Sequence, residues 1–303
     1  INNTYDNLGS IFEDMEINHI ETRTRAFVKI QDGCENYCAY CIIPFVRGRC
    51  RSKDKDTVIR EITNLVNNGY KEIVLTGIHT GHYGQDLNDY NFYELLKDIL
   101  KINGLERLRI SSIEMNEITD DIIELIKNNK VLVDHMHIPL QSGSNEVLQI
   151  MKRRYTRELF ADRVKHIRQV MPHAFIGVDC MVGVRGETAS YWEDYLSFIK
   201  QLDVSQLHVF TYSERANTRM LEMPLHIVPK AERQRRSKIL HEVSEEKTKA
   251  FYAKYAHRKA VVLWESKKEG DQMAGFTDNY IKVYRPYDKS KINTFETINS
   301  AEK

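Results

Sequence analysis

Three of the five cysteines in this 303-residue chain lie within eight residues of one another. Cys34, Cys38 and Cys41 have C-x3-C-x2-C spacing, and they directly follow a segment that is predicted to be a strand. Thiolates hold iron-sulfur clusters, so three of them on one short loop match three irons of a cubane cluster. The remaining iron is then open to a bidentate ligand, such as the amino and carboxylate groups of S-adenosylmethionine (SAM).

A zinc site is the alternative interpretation of these thiols. Structural zinc needs a fourth protein ligand, and no matching Cys or His pair follows directly. Cys50 stands alone, while His79 and His82 come only after the next predicted strand. Cys50 and Cys180 have no partner at a metal-binding spacing, and we interpret them as a loop thiol and a buried strand residue. A non-catalytic, zinc-stabilised RNA-binding protein therefore remains an alternative of a different class.

Composition limits the class of protein. With 42% hydrophobic and 29% charged residues, the chain has the composition of a globular protein. Its 303 residues indicate one large domain plus a small one, or two domains. No segment approaches the ~18 apolar residues of a membrane span, so we expect no membrane partner. The N-terminal residues do not resemble a leader, which favours a cytoplasmic location. The formal net charge of +1 does not indicate whether nucleic acid is bound.

Short β-branched segments alternate with amphipathic helical segments along most of the chain. Six such strand-then-helix units predict an α/β fold with a parallel sheet that is curved or closed toward a barrel. Ligands of such folds bind at the carboxyl ends of the strands, where the three cysteines lie. The predicted strands are 26–31, 72–77, 107–112, 131–139, 174–183 and 206–213. A long charged helix is predicted over 229–255, followed by strands at 259–265 and 280–284 around a turn region at 270–279.

The chain resembles a known family in the cysteine spacing, in Tyr40 immediately before Cys41 and in the (βα)6 frame, which are all similar to the radical-SAM superfamily. Further segments resemble its methylthiotransferases, and the resemblance covers about residues 24 to 300. These segments are 41–52, 75–77, 83–84, 111–112, 137–144, 151–155, 183–188 and 210–215. Taken as a whole, the sequence most resembles the branch that modifies N6-threonylcarbamoyladenosine beside the tRNA anticodon. Another tRNA adenosine derivative, or a ribosomal protein side chain, remains an alternative substrate.

The resemblance implies cofactors, partners and a reaction. Cys34, Cys38 and Cys41 would bind a 4Fe-4S cluster with one open iron, and SAM would bind to that iron. Reductive cleavage of SAM would give a 5'-deoxyadenosyl radical, and a methylthio group would replace the hydrogen at C2 of the adenosine. The implied partners are the tRNA anticodon stem-loop and an electron donor such as flavodoxin or ferredoxin.

The resemblance also implies which residues bind SAM. Tyr40 would lie against the adenine, Thr76 and Gly77 would meet the SAM amino group, and Asp179 would line the adenine end. Ser112 and Gln141 would bond the ribose or the methionyl part, and Arg153 would bind the carboxylate bidentately. For Ser112, Gln141 and Arg153, an ordinary structural hydrogen bond is an open alternative. One turn departs from the family pattern: residues 183–188 read Gly-Val-Arg-Gly-Glu-Thr, where the family has Gly-Phe-Pro-Gly-Glu-Thr.

Two basic segments follow predicted strand ends, at residues 47–55 and 152–157, where an RNA backbone would lie. A solvated surface is the alternative for any such segment. The terminal β module resembles TRAM, the small β-barrel that binds tRNA in these enzymes. Its aromatic residues are either RNA-stacking or core residues, and we favour the core for Tyr284 and leave Phe276 open. The predicted RNA-binding residues are Arg47, Arg49, Arg51, Arg154 and Phe276.

The predicted organisation has four parts. Residues 1–23 are a linker or the remnant of a missing N-terminal domain, and residues 24–228 are the radical-SAM core. Residues 229–257 are a connecting helix, and residues 258–303 are the TRAM-like module, which is possibly truncated. Family members carry a preceding domain with three more cysteines for a second 4Fe-4S cluster, and no cysteine precedes Cys34. We therefore expect either a fragment or a natural enzyme that does not insert sulfur.

Overall fold

The computed structural model describes Phe12 and residues 24–299. The linker predicted for residues 1–23 therefore lies, apart from Phe12, outside the described residues. The described chain contains a curved parallel sheet covered by helices, followed by an antiparallel sheet. The strands are β1 (Arg25–Asp32), β2 (Arg51–Ser52), β3 (Glu72–Gly77), β4 (Arg107–Ile110), β5 (His135–Gln141), β6 (Phe175–Val182), β7 (Gln206–Thr211), β8 (Lys259–Glu269), β9 (Gln272–Phe276), β10 (Lys282–Pro286) and β11 (Phe295–Asn299).

Six parallel strands form a partial barrel from two sheets, ordered β2-β1-β3-β4 and β5-β6-β7. The short β2 is antiparallel to β1. Backbone hydrogen bonds join the two sheets: the Leu108 N–H donates to the Val131 carbonyl at 2.8 Å, and the Val133 N–H donates to the Leu108 carbonyl at 3.1 Å. Among the described strands, β1 and β7 do not pair with each other, so the barrel is open between them. The predicted α/β partial barrel is confirmed.

Most of the described helices pack buried apolar residues against the outer face of this barrel. Most begin with a Ser, Thr, Asp or Asn whose side chain accepts a hydrogen bond from the backbone N–H three residues on. The helices are α1 (Ile43–Arg47), α2 (Lys55–Asn67), α3 (Phe92–Ile99), α4 (Asp120–Lys127), α5 (Asn145–Ile150), α6 (Arg157–Val170), α7 (Ala189–Gln201), α8 (Arg219–Glu222) and α9 (Lys230–Tyr255). None of these helices combines the length and apolar character that crossing a membrane requires.

The inner face of the barrel is polar. On β1, Ala26, Val28 and Ile30 belong to the core between the sheet and the helices. Side chains alternate along a strand, so the residues between them face inward. The same alternation on β5, β6 and β7 directs His137, Asp179 and His208 inward, while their neighbours join the helix-covered core. The barrel therefore encloses polar groups that a ligand can meet from the open side.

The terminal sheet has the order β10-β9-β8-β11 and is antiparallel throughout. The prediction of a turn region over 270–279 was wrong, because β9 lies within it and the hairpin turns at Gly270 and Asp271. The β9 residues lack the β-branched pattern of a strand, and tertiary packing decides the pairing. A Cβ on Gly275 would lie 2.4 Å from Val262 Cγ1, so close strand packing requires glycine there. Tyr284 is 43% exposed, so its predicted core position was also wrong.

Candidate functional site

The three cysteines lie on the loop that follows β1, at the carboxyl edge of the barrel. The loop is fixed by backbone hydrogen bonds: the Cys34 N–H donates to the Gly48 carbonyl at 3.1 Å, and the Ala39 N–H donates to the Met151 carbonyl at 3.0 Å. A third bond runs from the Cys41 N–H to the Cys38 carbonyl at 3.0 Å. Two segments thus hold the cysteine loop from two sides: the one between α1 and β2, which contains Gly48, and the loop after α5, which contains Met151.

The chemistry of these thiols fits a thiolate-bound metal cluster. All three are free and half-buried. Burial raises the pKa of the Cys34 thiol to about 12, and burial also raises the pKa of Cys41. Both are therefore protonated at neutral pH when no metal is bound, and metal binding must displace the protons. Cys50 is buried, and its Sγ accepts a hydrogen bond from Gln31 Nε2 at 2.8 Å, while Cys180 is buried on β6.

Gly33 sets the start of the loop, and its replacement provides a first prediction. Its φ is +75°, and a Cβ there would lie 1.9 Å from the Arg49 carbonyl oxygen. We expect Gly33→Ala to displace the loop and lower the iron content of the reconstituted protein at least tenfold, because a displaced ligand loop loses metal affinity. Gly69→Ala is the matched control, since Gly69 has φ +91° and nothing within 4 Å of the added Cβ. Equal iron content in both variants would contradict the prediction.

Arg153 connects the cysteine loop with two strand ends. Its side chain is 4% exposed and forms an ion pair with Glu114. Its Nη1 donates to Cys38 Sγ at 3.4 Å, and its Nε donates to the Tyr155 hydroxyl oxygen at 3.1 Å. Sequence reasoning identified Arg153 but missed Glu114, whose only signal is its position four residues after the end of β4. The guanidinium thus joins a cysteine thiol to a carboxylate.

The other predicted SAM-binding residues lie along the same edge. Tyr40 packs against the apolar cluster that contains Ala39, Val147 and Met151. Thr76 and Gly77 end β3, and Ser112 follows β4. Thr76 Oγ1 donates to the Val28 carbonyl at 3.4 Å.

The predicted residues of the second sheet have different surroundings. Gln141 ends β5 with a φ of +68°, and its Oε1 is buried without a hydrogen-bond partner among the described residues. Asp179 lies within β6, where its Oδ1 is 2.8 Å from His137 Nε2. In the first sheet, a Cβ on Gly77 of β3 would lie 3.1 Å from two side-chain atoms of Gln31, so strand packing already restricts this position. Gln141 thus presents an amide oxygen without a hydrogen-bond partner among the described residues, whereas Asp179 is hydrogen-bonded to His137 inside the barrel.

A cavity of about 60 Å³ opens beside Cys38, Glu114 and Arg153. His82 and Glu117 line it as well. Larger cavities of about 510 and 520 Å³ lie elsewhere, one between the barrel and the terminal sheet and one along α6 and α7. No predicted site residue lines either of these, whereas Cys38, Arg153 and Arg154 line the small cavity.

The predicted RNA-binding residues differ in their surroundings. Arg47, Arg49 and Arg154 are exposed. Arg51 is largely buried by its own loop, because its Nη1 donates to the Arg47 and Arg49 carbonyls at 2.8 and 3.1 Å. Phe276 stacks on Tyr280 with ring centroids 4.9 Å apart, and the Arg25 guanidinium covers it at 4.8 Å. Its ring is thus occupied by protein contacts.

His79 lies closer to the cysteines than the sequence indicated. Its Nδ1 is 3.8 Å from Cys34 Sγ and 3.4 Å from Asn36 Nδ2. Separation by a strand had suggested that His79 was remote. However, β3 pairs in parallel with β1, so the residues that follow the two strands meet at one edge.

Comparison with known proteins places these features in context. Residues 28–199 match the family model of the Radical SAM superfamily. The chain is 41% identical over 278 residues to threonylcarbamoyladenosine tRNA methylthiotransferase MtaB of Bacillus subtilis (strain 168), which covers 90% of this chain and 61% of that protein. It is 34% identical over 285 residues to the protein of the same name of Aquifex aeolicus (strain VF5), covering 92% and 67%.

A relative named for a different activity is also similar. The chain is 36% identical over 293 residues to tRNA-2-methylthio-N(6)-dimethylallyladenosine synthase of Clostridium botulinum (strain Langeland / NCTC 10281 / Type F), covering 95% of this chain and 64% of that one. Among solved structures, the radical SAM methyltransferase TsrM from Kitasatospora setae has a TM-score of 0.55 at 18% identity, covering 64% of this chain and 38% of that chain. This likeness supports the fold alone. The chain thus spans about three fifths to two thirds of the length of these curated relatives.

Proposed function

Because this chain belongs to the radical SAM superfamily, and within it to the methylthiotransferases, we propose that it removes the C2 hydrogen atom of a tRNA adenosine derivative for methylthiolation. The proposed substrate is N6-threonylcarbamoyladenosine in the anticodon stem-loop. The observation that carries the proposal is a loop with three free thiols at the carboxyl edge of a partial barrel. The 41% identity to a relative named for that nucleoside favours this substrate.

The cysteine loop is the proposed site of a 4Fe-4S cluster. Cys34, Cys38 and Cys41 would hold three irons and leave the fourth open for SAM. When bound, the reduced cluster and SAM supply a 5'-deoxyadenosyl radical, the species that takes a hydrogen atom from an unactivated C–H bond. The protein orients SAM and the substrate and keeps competing reactions away.

Arg153 and Glu114 are proposed to bind the amino-acid part of SAM. That part would bind the open iron through its amino and carboxylate groups, and both groups can also form hydrogen bonds with the protein. Arg153 supplies a bidentate donor for the carboxylate, and Glu114 supplies an acceptor for the N–H groups of the amino nitrogen. The two side chains pair with each other in the structure, beside Cys38. Arg153 can exchange Glu114 for the SAM carboxylate, which keeps the buried guanidinium charge paired.

The Arg153 assignment gives a second prediction. We expect Arg153→Lys to weaken SAM binding to the reconstituted protein about 10- to 100-fold, because lysine lacks the second parallel donor. Equilibrium dialysis with labelled SAM measures this, and iron content in the same samples shows whether the cluster is present. Arg154→Lys is the matched control, since Arg154 is the exposed neighbour. SAM affinity that is unchanged in Arg153→Lys would contradict the assignment.

The open side of the barrel is proposed to admit the adenine base. Phe210 on β7 is 51% exposed, and the strands β1 and β7 flank the opening. Aromatic faces stack on unpaired bases, and RNA loops present such bases. Beyond this aromatic ring, His137, Asp179 and His208 offer polar groups to the base edges.

A tRNA substrate and an electron donor such as flavodoxin or ferredoxin both favour a cytoplasmic site of action.

Deuterium transfer tests the proposal without requiring sulfur insertion. The anaerobically reconstituted chain is reduced with dithionite in the presence of SAM and an anticodon stem-loop that carries C2-deuterated N6-threonylcarbamoyladenosine. We expect deuterium in the 5'-deoxyadenosine, detected by mass spectrometry. The comparison substrate is the same stem-loop with C2-deuterated N6-dimethylallyladenosine, because the relative from C. botulinum is named for the methylthio derivative of that nucleoside.

The outcomes separate chemistry from substrate. Absence of SAM cleavage in protein that holds a full cluster would contradict the radical chemistry. Transfer from the dimethylallyl substrate alone would retain the reaction and replace the nucleoside. Transfer from neither RNA, together with SAM cleavage, would contradict the proposed RNA substrate and direct the test to ribosomal protein.

A further inference from the structure

Two histidines and one glutamate converge beside the cysteine loop. His79 Nε2 lies 3.4 Å from Glu117 Oε2, and His82 Nε2 lies 3.2 Å from Glu117 Oε1. One ligand atom from each of the three side chains falls within 4.8 Å of the others. None of these residues has a role in the proposed function.

The local fold brings the three side chains together. Thr80–His82 is a 3-10 turn that follows β3, and residues three apart eclipse in such a turn. This places the His79 and His82 rings in a stack with centroids 3.4 Å apart. A second 3-10 turn, Met115–Glu117, follows β4 and presents Glu117 to both rings.

Gly81 makes the close approach of Glu117 possible. A Cβ at this position would lie 2.5 Å from Glu117 Cβ and 2.7 Å from its Cγ. A residue with a side chain would therefore push the carboxylate away from the two imidazoles. The lack of a side chain at Gly81, between the two histidines, leaves the space that Glu117 occupies.

The distances indicate what the cluster binds. His79 Nε2 and Glu117 Oε2 are buried and have no hydrogen-bond partner among the described residues, although they face each other. Charge-assisted N–H···O bonds are shorter, at about 2.7–2.9 Å. Two ligands that are each about 2.0–2.1 Å from a tetrahedral ion lie about 3.3–3.4 Å apart. The separations of 3.4 Å from His79 and 3.2 Å from His82, each to a different oxygen of the Glu117 carboxylate, are close to that spacing.

We propose that His79, His82 and Glu117 bind one divalent transition metal ion of the zinc class. Two imidazoles and one carboxylate are the protein ligands of many catalytic zinc sites, in which a fourth position stays open. His82 and Glu117 line the cavity beside Cys38, so the open position faces water or a substrate oxygen there. His79 would bind through Nε2 and direct its Nδ1–H to Cys34 Sγ, as metal-bound histidines donate to an outer partner.

Zinc content and zinc X-ray absorption of the reconstituted holoprotein test this site. After dialysis against zinc and removal of excess, we expect about one zinc per chain, with nitrogen and oxygen ligands at about 2.0–2.1 Å and no sulfur at about 2.3 Å. His82→Asn and Glu117→Gln should each lower zinc occupancy at least tenfold. His241→Asn, on the exposed side of α9, is the matched control. Iron content and circular dichroism of the same samples identify a variant that has not folded.

Gly81→Ala keeps all three ligands and is the second variant. It should weaken zinc binding about 10- to 100-fold, the range for changes that misplace a ligand. The metal site is overturned if the wild type retains no zinc, if sulfur ligands dominate its spectrum, or if the Glu117→Gln and Gly81→Ala chains bind zinc as the control does. Zinc binding does not depend on SAM cleavage, so its failure is distinguishable from failure of the proposed function.

Discussion

Alanine in place of Cys34, Cys38 or Cys41 is expected to reduce iron in the reconstituted protein from about four atoms per chain to near zero. The three free thiols are all the cysteines of this loop, and an iron that lost its proposed thiolate ligand would be released to solvent or chelators. SAM cleavage should disappear with the cluster. Iron and sulfide analysis, the electron paramagnetic resonance signal after dithionite reduction, and 5'-deoxyadenosine formation measure these losses.

Two cysteines of the same chain serve as controls. Cys50→Ser retains an acceptor for Gln31 Nε2, and Cys180→Ala removes one sulfur from the core under the helices. Both should keep the cluster, although Cys180→Ala lowers stability by about 1 kcal/mol. Iron that persists in Cys38→Ala, or that falls equally in Cys50→Ser, would show that the cluster is held elsewhere.

The barrel and its cysteine loop could be predicted because their determinants are local. Period-two alternation on β1 and the apolar spacing on α2 are each readable within about ten residues. The position of the cysteines after the first strand then follows from topology, because the carboxyl ends of parallel strands share an edge. The turn at residues 183–188, which has Arg185 where the family pattern has proline, is held by its own contacts: Glu187 Oε1 accepts from the Gly183 N–H at 3.1 Å, and buried Arg236 pairs with Glu187.

The unpredicted features depend on residues that are distant in sequence. Glu114 belongs to the site only because Arg153, 39 residues later, reaches it. The two basic segments lose part of their charge for the same reason: Lys53 forms a buried pair with Glu61 at 2.6 Å, and Arg157 pairs with Asp194 at 2.6 Å. The charges within a short segment do not reveal acidic partners elsewhere in the chain. The sequence analysis therefore overestimated how much positive charge these two segments expose to solvent.

Glu72→Gln is expected to cause the largest loss of stability. Glu72 is fully buried at the start of β3. Its Oε1 accepts from Arg109 Nε at 2.9 Å, and its Oε2 is 3.4 Å from Arg107 Nη1, with Arg25 at 3.9 Å. Removing the carboxylate charge leaves buried guanidinium groups without compensation, which costs about 3–5 kcal/mol. Denaturant unfolding measures the loss.

The same change should loosen the terminal sheet. Arg107 donates to the Val261 carbonyl at 2.7 Å and to the Phe276 carbonyl at 3.0 Å, so Glu72 orients a residue that holds β8 and β9. Amide exchange in β8 and β9 should therefore accelerate in Glu72→Gln more than exchange in β5 and β6. Uniform acceleration would show that Glu72 stabilises the barrel without a particular role in docking the terminal sheet.

The contribution of Glu72 to the free energy of unfolding should depend on pH. Burial alone would raise the pKa of Glu72, but the guanidinium groups of Arg109, Arg107 and Arg25 outweigh burial and hold it below its ordinary value of 4.5. A carboxyl group with a lowered pKa in the folded state contributes stability above pH 4.5 and loses it as the pH falls through the folded-state pKa. The stability difference between wild type and Glu72→Gln should therefore be constant near neutral pH and shrink below about pH 4.5.

An exposed pair supplies the matched control. Glu106 and Lys71 are 2.7 Å apart at the neighbouring strand start, with side chains 47% and 33% exposed. Water already solvates both charges, so Glu106→Gln should change stability by no more than about 1 kcal/mol. A similar cost for the two substitutions would mean that the buried arginines find other partners when Glu72 loses its charge. A large cost for Glu72→Gln alone, fading in acid, would place the coupling between barrel and terminal sheet on this one carboxylate.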